Sequence, residues 1–315
     1  MALREIFYIL KPVIPRRLQL FLRRQLVLKK RVSLVDIWPI DATAGKPKEL
    51  FNEWPECNRF ALVLTHDVDT EIGQKKCQDL MELEETLGFR SSFNFVAERY
   101  HVDPDLRQTL TGKGFEVGVH GLNHDGKLYK SWQIFQERAL KINGYLKEWG
   151  AVGFRSPAMH HNLEWIHDLD IEYDASTFDT DPFEPQPDGV GTIFPFWVEG
   201  NNNQKGYVEL PYTLPQDFTL FVLMREKNIN IWKRKLDWIV EQGGVALLNT
   251  HPDYMKFGQG KMGLEEYPAD YYGEFLEYVK GRYEGQYWHV LPKEMARFWG
   301  ENSGVRSQNS GVRRE

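Results

Sequence analysis

The sequence predicts an α/β protein, a distorted parallel (β/α) barrel of about seven strands. From residue 59 onward short apolar runs alternate with longer stretches of helical period, the pattern of repeated βα units. Four of those runs end in polar residues of chemical interest, and in such barrels the C-terminal strand ends carry the chemistry. The 315 residues, 42% hydrophobic and 14% aromatic, suffice for one barrel of about 250 residues with short extensions.

The strands are expected to begin near Phe60, Ser92, Phe115, Val152, Tyr207, Val245 and Trp288. Helical periods fill 75–87, 127–149, 163–169, 229–242 and 269–283. The segment 178–206 is too long and too rich in Pro, Asp, Gly and Asn for a plain connection, and it reads as a functional loop or lid. Residues 303–315 repeat Ser-Gly-Val-Arg without an apolar face, the pattern of a disordered tail. The expected organisation is a basic extension at 1–58, the barrel at 59–300 and the tail at 301–315.

Apolar stretches such as 244–249 are strand-length, far short of the roughly 20 residues a bilayer-spanning helix needs. Arg16, Arg17, Arg23 and Arg24 interrupt the leucines of the N-terminal region, unlike a secretory signal, so the protein is expected in the cytoplasm. Cys57 and Cys77 fit a reducing compartment without a disulfide framework. The net charge of −6 hides an asymmetry: residues 1–32 carry nine Lys or Arg and one acid, Glu5. The acidic remainder argues against nucleic acid as a partner. The leader reads either as an interfacial helix meeting the anionic inner membrane face, or as a helix packing its apolar side on the barrel bottom.

Asp67 and Asp69 stand two apart at the end of the first strand, where period-two geometry turns both carboxylates to one side. Such a pair is common on surfaces and caps. His120 and His124, in His-Gly-Leu-Asn-His after a later strand, share one face if that segment is helical, as a solvated helix would also arrange them. With an aspartate they make an Asp-His-His set whose open position suits a catalytic divalent ion, zinc foremost. Arg155 precedes Ser156 and Pro157, and the fixed turn at Pro157 directs the amide of Ala158 inward. His251, before Pro252, ends another strand. A lone strand-end histidine is usually structural, but four strands delivering polar groups to one rim are hard to obtain from packing alone.

Thr-His-Asp-Val-Asp-Thr at 65–70, His-Gly-Leu-Asn-His at 120–124, Arg-Ser-Pro at 155–157 and Thr-His-Pro at 250–252 resemble, in order, the motifs of the polysaccharide deacetylase family, also called NodB-homology or carbohydrate esterase family 4. The resemblance spans about 59–295. It implies Asp67 as general base, Asp69, His120 and His124 as metal ligands, Arg155 as the residue holding the base, His251 as general acid, and Pro157 with the Ala158 amide beside the oxyanion. Many members have adjacent aspartates where Val68 intervenes here, so an exchange of the Asp67 and Asp69 roles stays open. The aspartate orienting His251 is Asp174, Asp179 or Asp217. His66 is expected to support the ligands from behind, His160 and His161 to sit on a loop surface or to line the cleft, and His101, His167 and His289 to be structural or superficial. The implied function is metal-dependent N-deacetylation of a sugar in a polysaccharide or glycan precursor, lipid- or nucleotide-linked. The alternatives are hydrolysis of a small non-sugar amide and a catalytically silent carbohydrate-binding scaffold.

Overall fold

A computed structural model describes residues 15–200 and 204–302. The tail at 303–315, the first part of the leader and three residues of the 178–206 segment lie outside the described residues. In chain order the strands are β1 (Phe60–Val68), β2 (Ser92–Phe95), β3 (Glu116–Val119), β4 (Gly153–Phe154), β5 (Tyr173–Asp174), β6 (Phe196–Val198), β7 (Tyr207–Glu209), β8 (Val245–Thr250), β9 (Met255–Lys256), β10 (Tyr267–Pro268) and β11 (Tyr287–His289). The helices are α1 (Arg16–Val32), α2 (Glu71–Leu87), α3 (Pro104–Gly112), α4 (Trp132–Trp149), α5 (Asn230–Gln242), α6 (Asp270–Tyr283) and α7 (Pro292–Asn302).

β1 is buried at all nine positions, as a central parallel strand covered on both faces must be. One edge pairs with β8, while the other pairs with β11 near its start and with β2 near its end. From β2 the parallel order continues through β3, β4 and β5 to β7, with β6 antiparallel on the outside. The curl comes round again through the chain after β7: the Thr213 and Leu214 amides donate to Leu247 O (3.0 and 3.2 Å), and an isolated parallel bridge joins Leu214 to Leu248. The fold is therefore a distorted, mostly parallel barrel.

Local signals explain the element ends. Thr70 caps α2 through its side chain, Ser131 caps α4, and Gly88 ends α2 at φ +85°, a left-handed conformation that costs glycine little. The helical period at 163–169 yields only the short turn Trp165–Asp168. Cys57 and Cys77 are both free. The 178–206 segment is held down: Ile193 N–H donates to Ala44 O (3.0 Å), buried Lys235 pairs with Asp179 (2.5 Å), and β6 joins the sheet.

α1 packs on the stretch Phe218–Leu223, which begins next to Asp217 near the C-terminal strand ends and not at the barrel bottom. Its inner side buries Leu20 and Val27. Around them its cations reach into the body: Arg16 to Glu265 (2.5 Å), Arg24 Nε to Val222 O (2.9 Å), Arg31 to Glu226, and Arg23 over the Phe218 ring at 4.9 Å. The apolar side of α1 does not pack on the barrel; Leu18, Phe21, Leu22, Leu26, Leu28 and Val32 are exposed.

Candidate active site

Asp67 is the penultimate residue of β1, and Asp69 follows the strand directly. Strand alternation turns both toward the same rim and sends His66 to the opposite side. There the His66 ring lies 2.7 Å from Thr250 Oγ1 and 3.0 Å from Glu84 Oε1, so it braces the β1, β8 and α2 packing and does not back the metal ligands as expected.

His120 and His124 are brought together by a loop, not a helix. The reversal uses positive φ at Gly121 (+62°) and His124 (+52°). A Cβ on Gly121 would meet Pro157 Cδ at 2.5 Å, so the glycine is needed both for its conformation and for its approach to the Pro157 turn. His124 Nε2 lies 3.0 Å and His120 Nε2 3.4 Å from Asp69 Oδ1.

These three residues fit a metal ion. Ligand atoms of Asp69, His120 and His124 all lie within 4.8 Å of one another. Asp69 Oδ1 is buried and makes no hydrogen bond despite the two nearby imidazole nitrogens, which is the geometry of lone pairs converging on a shared point. His120 Nδ1 lies 3.0 Å from Arg155 O, a group that only accepts, so Nδ1 carries the proton and Nε2 turns its lone pair to the site. A carboxylate and two imidazoles form an open set of the kind that catalytic zinc uses. Asp253, missed in the sequence, fastens this corner: its carboxylate accepts from Asp69 N–H (2.9 Å) and from Thr70 Oγ1 (2.5 Å).

Asp67 accepts hydrogen bonds from Asn94 (3.1 Å), Arg155 (3.2 Å) and Asn249 (2.8 Å). Burial alone would raise its pKa, but His120, Arg155 and His251 with the Asn94 bond outweigh it and hold the carboxyl at about 2. Arg155 is completely buried and also reaches Thr65 (2.8 Å), Asn249 (2.6 Å) and Ala175 O (2.7 Å).

Beyond Arg155, the turn Pro157–Met159 closes with Met159 N–H on Ser156 O (3.2 Å). Ala158 and Met159 both sit at positive φ (+56° and +52°), a conformation costing non-glycine residues about 1 kcal/mol or more each. Ala158 is exposed. Of the two places expected for it, His160 takes the cleft, half-buried beside His124, Tyr129, Ser156 and Pro157, whereas His161 turns back onto Met159 O (3.0 Å).

His251 follows β8 directly, and Asp217 is its partner. Asp174 instead bonds Ser176, and Asp179 bonds Lys235. Asp217 Oδ1 accepts His251 Nδ1–H (2.7 Å), and Oδ2 accepts the His251 amide (2.8 Å) and the Tyr267 hydroxyl (3.0 Å). Burial would lower the His251 pKa, but the Asp217, Asp69 and Asp67 charges raise it to about 10. With Nδ1–H engaged by Asp217, Nε2 is left for chemistry.

The fold is the one shared by solved deacetylase and allantoinase structures. A structure described as a polysaccharide deacetylase from Mycobacterium smegmatis aligns with a TM-score of 0.63 at 17% identity, covering 86% of this chain and 99% of its own. The allantoinase PuuE aligns equally well, TM-score 0.63 at 17% identity over 84% and 98%. A structure described as a polysaccharide deacetylase from Pseudomonas aeruginosa gives 0.61 at 16% over 84% and 98%. Neither a protein-family model nor a curated protein matches the chain by sequence.

Proposed function

We propose that this protein is a metal-dependent hydrolase that removes the acetyl group from an N-acetylated sugar in a polysaccharide or glycan precursor inside the cell. The observation that carries the reading is the meeting, at one rim, of an open Asp69, His120 and His124 set, an Asp67 carboxylate held by Arg155, Asn94 and Asn249, and a His251 imidazole held by Asp217. Opposed acid and base on either side of a metal corner is what amide hydrolysis requires.

A divalent ion, zinc by the chemistry of its ligands, would supply Lewis acidity to the acetyl carbonyl and acidify water at this corner. Asp67 takes the proton of the attacking water as the new C–O bond forms. Arg155 and the two asparagines keep Asp67 ionised and fix its direction. The turn at Pro157 presents the Ala158 amide to the developing oxyanion. His251 then passes its Nε2 proton to the amide nitrogen as the C–N bond breaks, giving acetate and the free amine. Asp217 fixes the ring for that transfer.

Acetate release from N-acetylated sugar nucleotides, lipid-linked saccharides and free oligosaccharides tests the reading. Allantoin, followed by loss of its ring amide and not by acetate, belongs beside that panel, since PuuE aligns as well as the deacetylases. Turnover of allantoin alone would select the small-amide alternative, and silence on every substrate with metal bound would select the scaffold.

A further inference from the structure

Amphipathic helices on a protein surface ordinarily bury their apolar side and wet their charged side. α1 does the reverse. Arg16, Arg24 and Arg31 point into ion pairs and carbonyls of the body, while Leu18, Phe21, Leu22, Leu26, Leu28 and Val32 spread over about 160° of its circumference at 3.6 residues per turn, with Gln25 and Lys29 exposed among them. Phe21 is 54%, Leu26 69% and Val32 78% exposed. The apolar surface continues past the helix at Val35 and Ile37, and across the neighbouring loop at Leu264, whose carbonyl takes a bond from Arg24 (3.4 Å). Exposure of this kind is concentrated here and not scattered, which marks an interaction surface.

Its place is equally specific. Arg23 lies over Phe218, Phe218 packs on Tyr254 (4.8 Å), and Tyr254 packs on His251 (5.2 Å). At the other end of the helix, Lys30 reaches Pro182 O and Trp38 meets Phe183 (5.1 Å) in the loop beside Tyr212 and Asp181. The helix therefore flanks the mouth of the candidate site.

We infer that the outer face of α1 docks on an anionic lipid surface and holds the site mouth against it, so that the N-acetylated sugar is presented on a lipid carrier. The substrate clause rests on the proposed deacetylase reading; the docking does not. Two features choose lipid over a second copy of the chain. Arg17, Lys29 and Lys30 are exposed within or beside the apolar stripe, so two copies would meet cation to cation whereas anionic headgroups complement them. The stripe is about 25 Å by about 10 Å, a footprint well below the ~800 Å² per partner of a stable dimer, yet ample for insertion at the headgroup boundary.

The test is flotation of the full-length protein with vesicles of phosphatidylcholine and phosphatidylglycerol, beside Phe21→Ser/Leu22→Ser/Leu26→Ser and Arg17→Glu/Lys29→Glu variants. Wild type floats, and both variants bind at least tenfold less while unfolding cooperatively and hydrolysing a water-soluble N-acetylated oligosaccharide at the wild-type rate. Wild-type protein that stays at the bottom, or a triple-serine variant that floats as well as wild type, overturns the docking. So does a wild-type dimer in vesicle-free light scattering that the serine variant dissolves. Flotation needs no turnover, so failure of every protein to release acetate counts against the deacetylase reading alone.

Discussion

Asp217 grips His251 at two points, the ring Nδ1–H at 2.7 Å and the main-chain amide at 2.8 Å, so one carboxylate sets both the orientation of the imidazole and the path of the chain beneath it. The acid must be protonated, so turnover is present below its pKa and lost as pH rises through it. Asp217→Asn removes the leading charge that raises this pKa. The alkaline limb of kcat/KM should therefore move to lower pH, and turnover at neutral pH should drop; an unmoved limb assigns it to another group.

Purified protein should hold about one zinc or similar ion per chain, and chelation should abolish acetate release reversibly. Elemental analysis of His120→Ala should show the ion lost. Full occupancy in that variant removes the assignment of the triad.

The two aspartates separate by metal retention. Asp67→Asn should keep the ion and lose turnover by ~100-fold to 10,000-fold, the span general base catalysis supplies, whereas Asp69→Asn should lose the ion. The opposite pattern exchanges their roles. Asp253→Ala, which frees the Asp69 amide and Thr70, should weaken metal affinity by about 10-fold to 100-fold in a chelator competition, as losses of such supporting contacts do.

Arg155→Met leaves Asp67 buried without its guanidinium, at a cost of about 3–5 kcal/mol in denaturant unfolding. The pH dependence carries a sign. Asp67 is depressed from 3.8 to about 2 in the fold, so its contribution is present above the unfolded value and is lost as pH falls through the folded one. Acid titration of unfolding should be steeper between those values in wild type than in Asp67→Asn.

The strand-end residues were readable because a parallel barrel repeats one rule, apolar run then polar tip, and β1, β3 and β8 are long enough to show it. β5 was not, since its two residues end in Asp174 and carry no period. α3 opens on Pro104 and runs only nine residues, too short for a clear stripe. Asp217 could not be separated from Asp174 and Asp179, because its partner lies 34 residues away and only the tertiary fold joins them. The leader showed its amphipathic composition, but which side faces the body depended on acids at Glu226 and Glu265 that no local pattern in residues 1–32 announces.

The closure between Leu214 and Leu248 is a single isolated bridge next to the Thr213 bonds, and β3 and β4 likewise share one paired position, Val119 with Phe154. Asp217 hangs three residues beyond that seam. Local opening starts where few bonds hold neighbours together, so solvent exchange of the Thr213 and Leu214 amides should report on the same stretch of chain that carries Asp217 to His251.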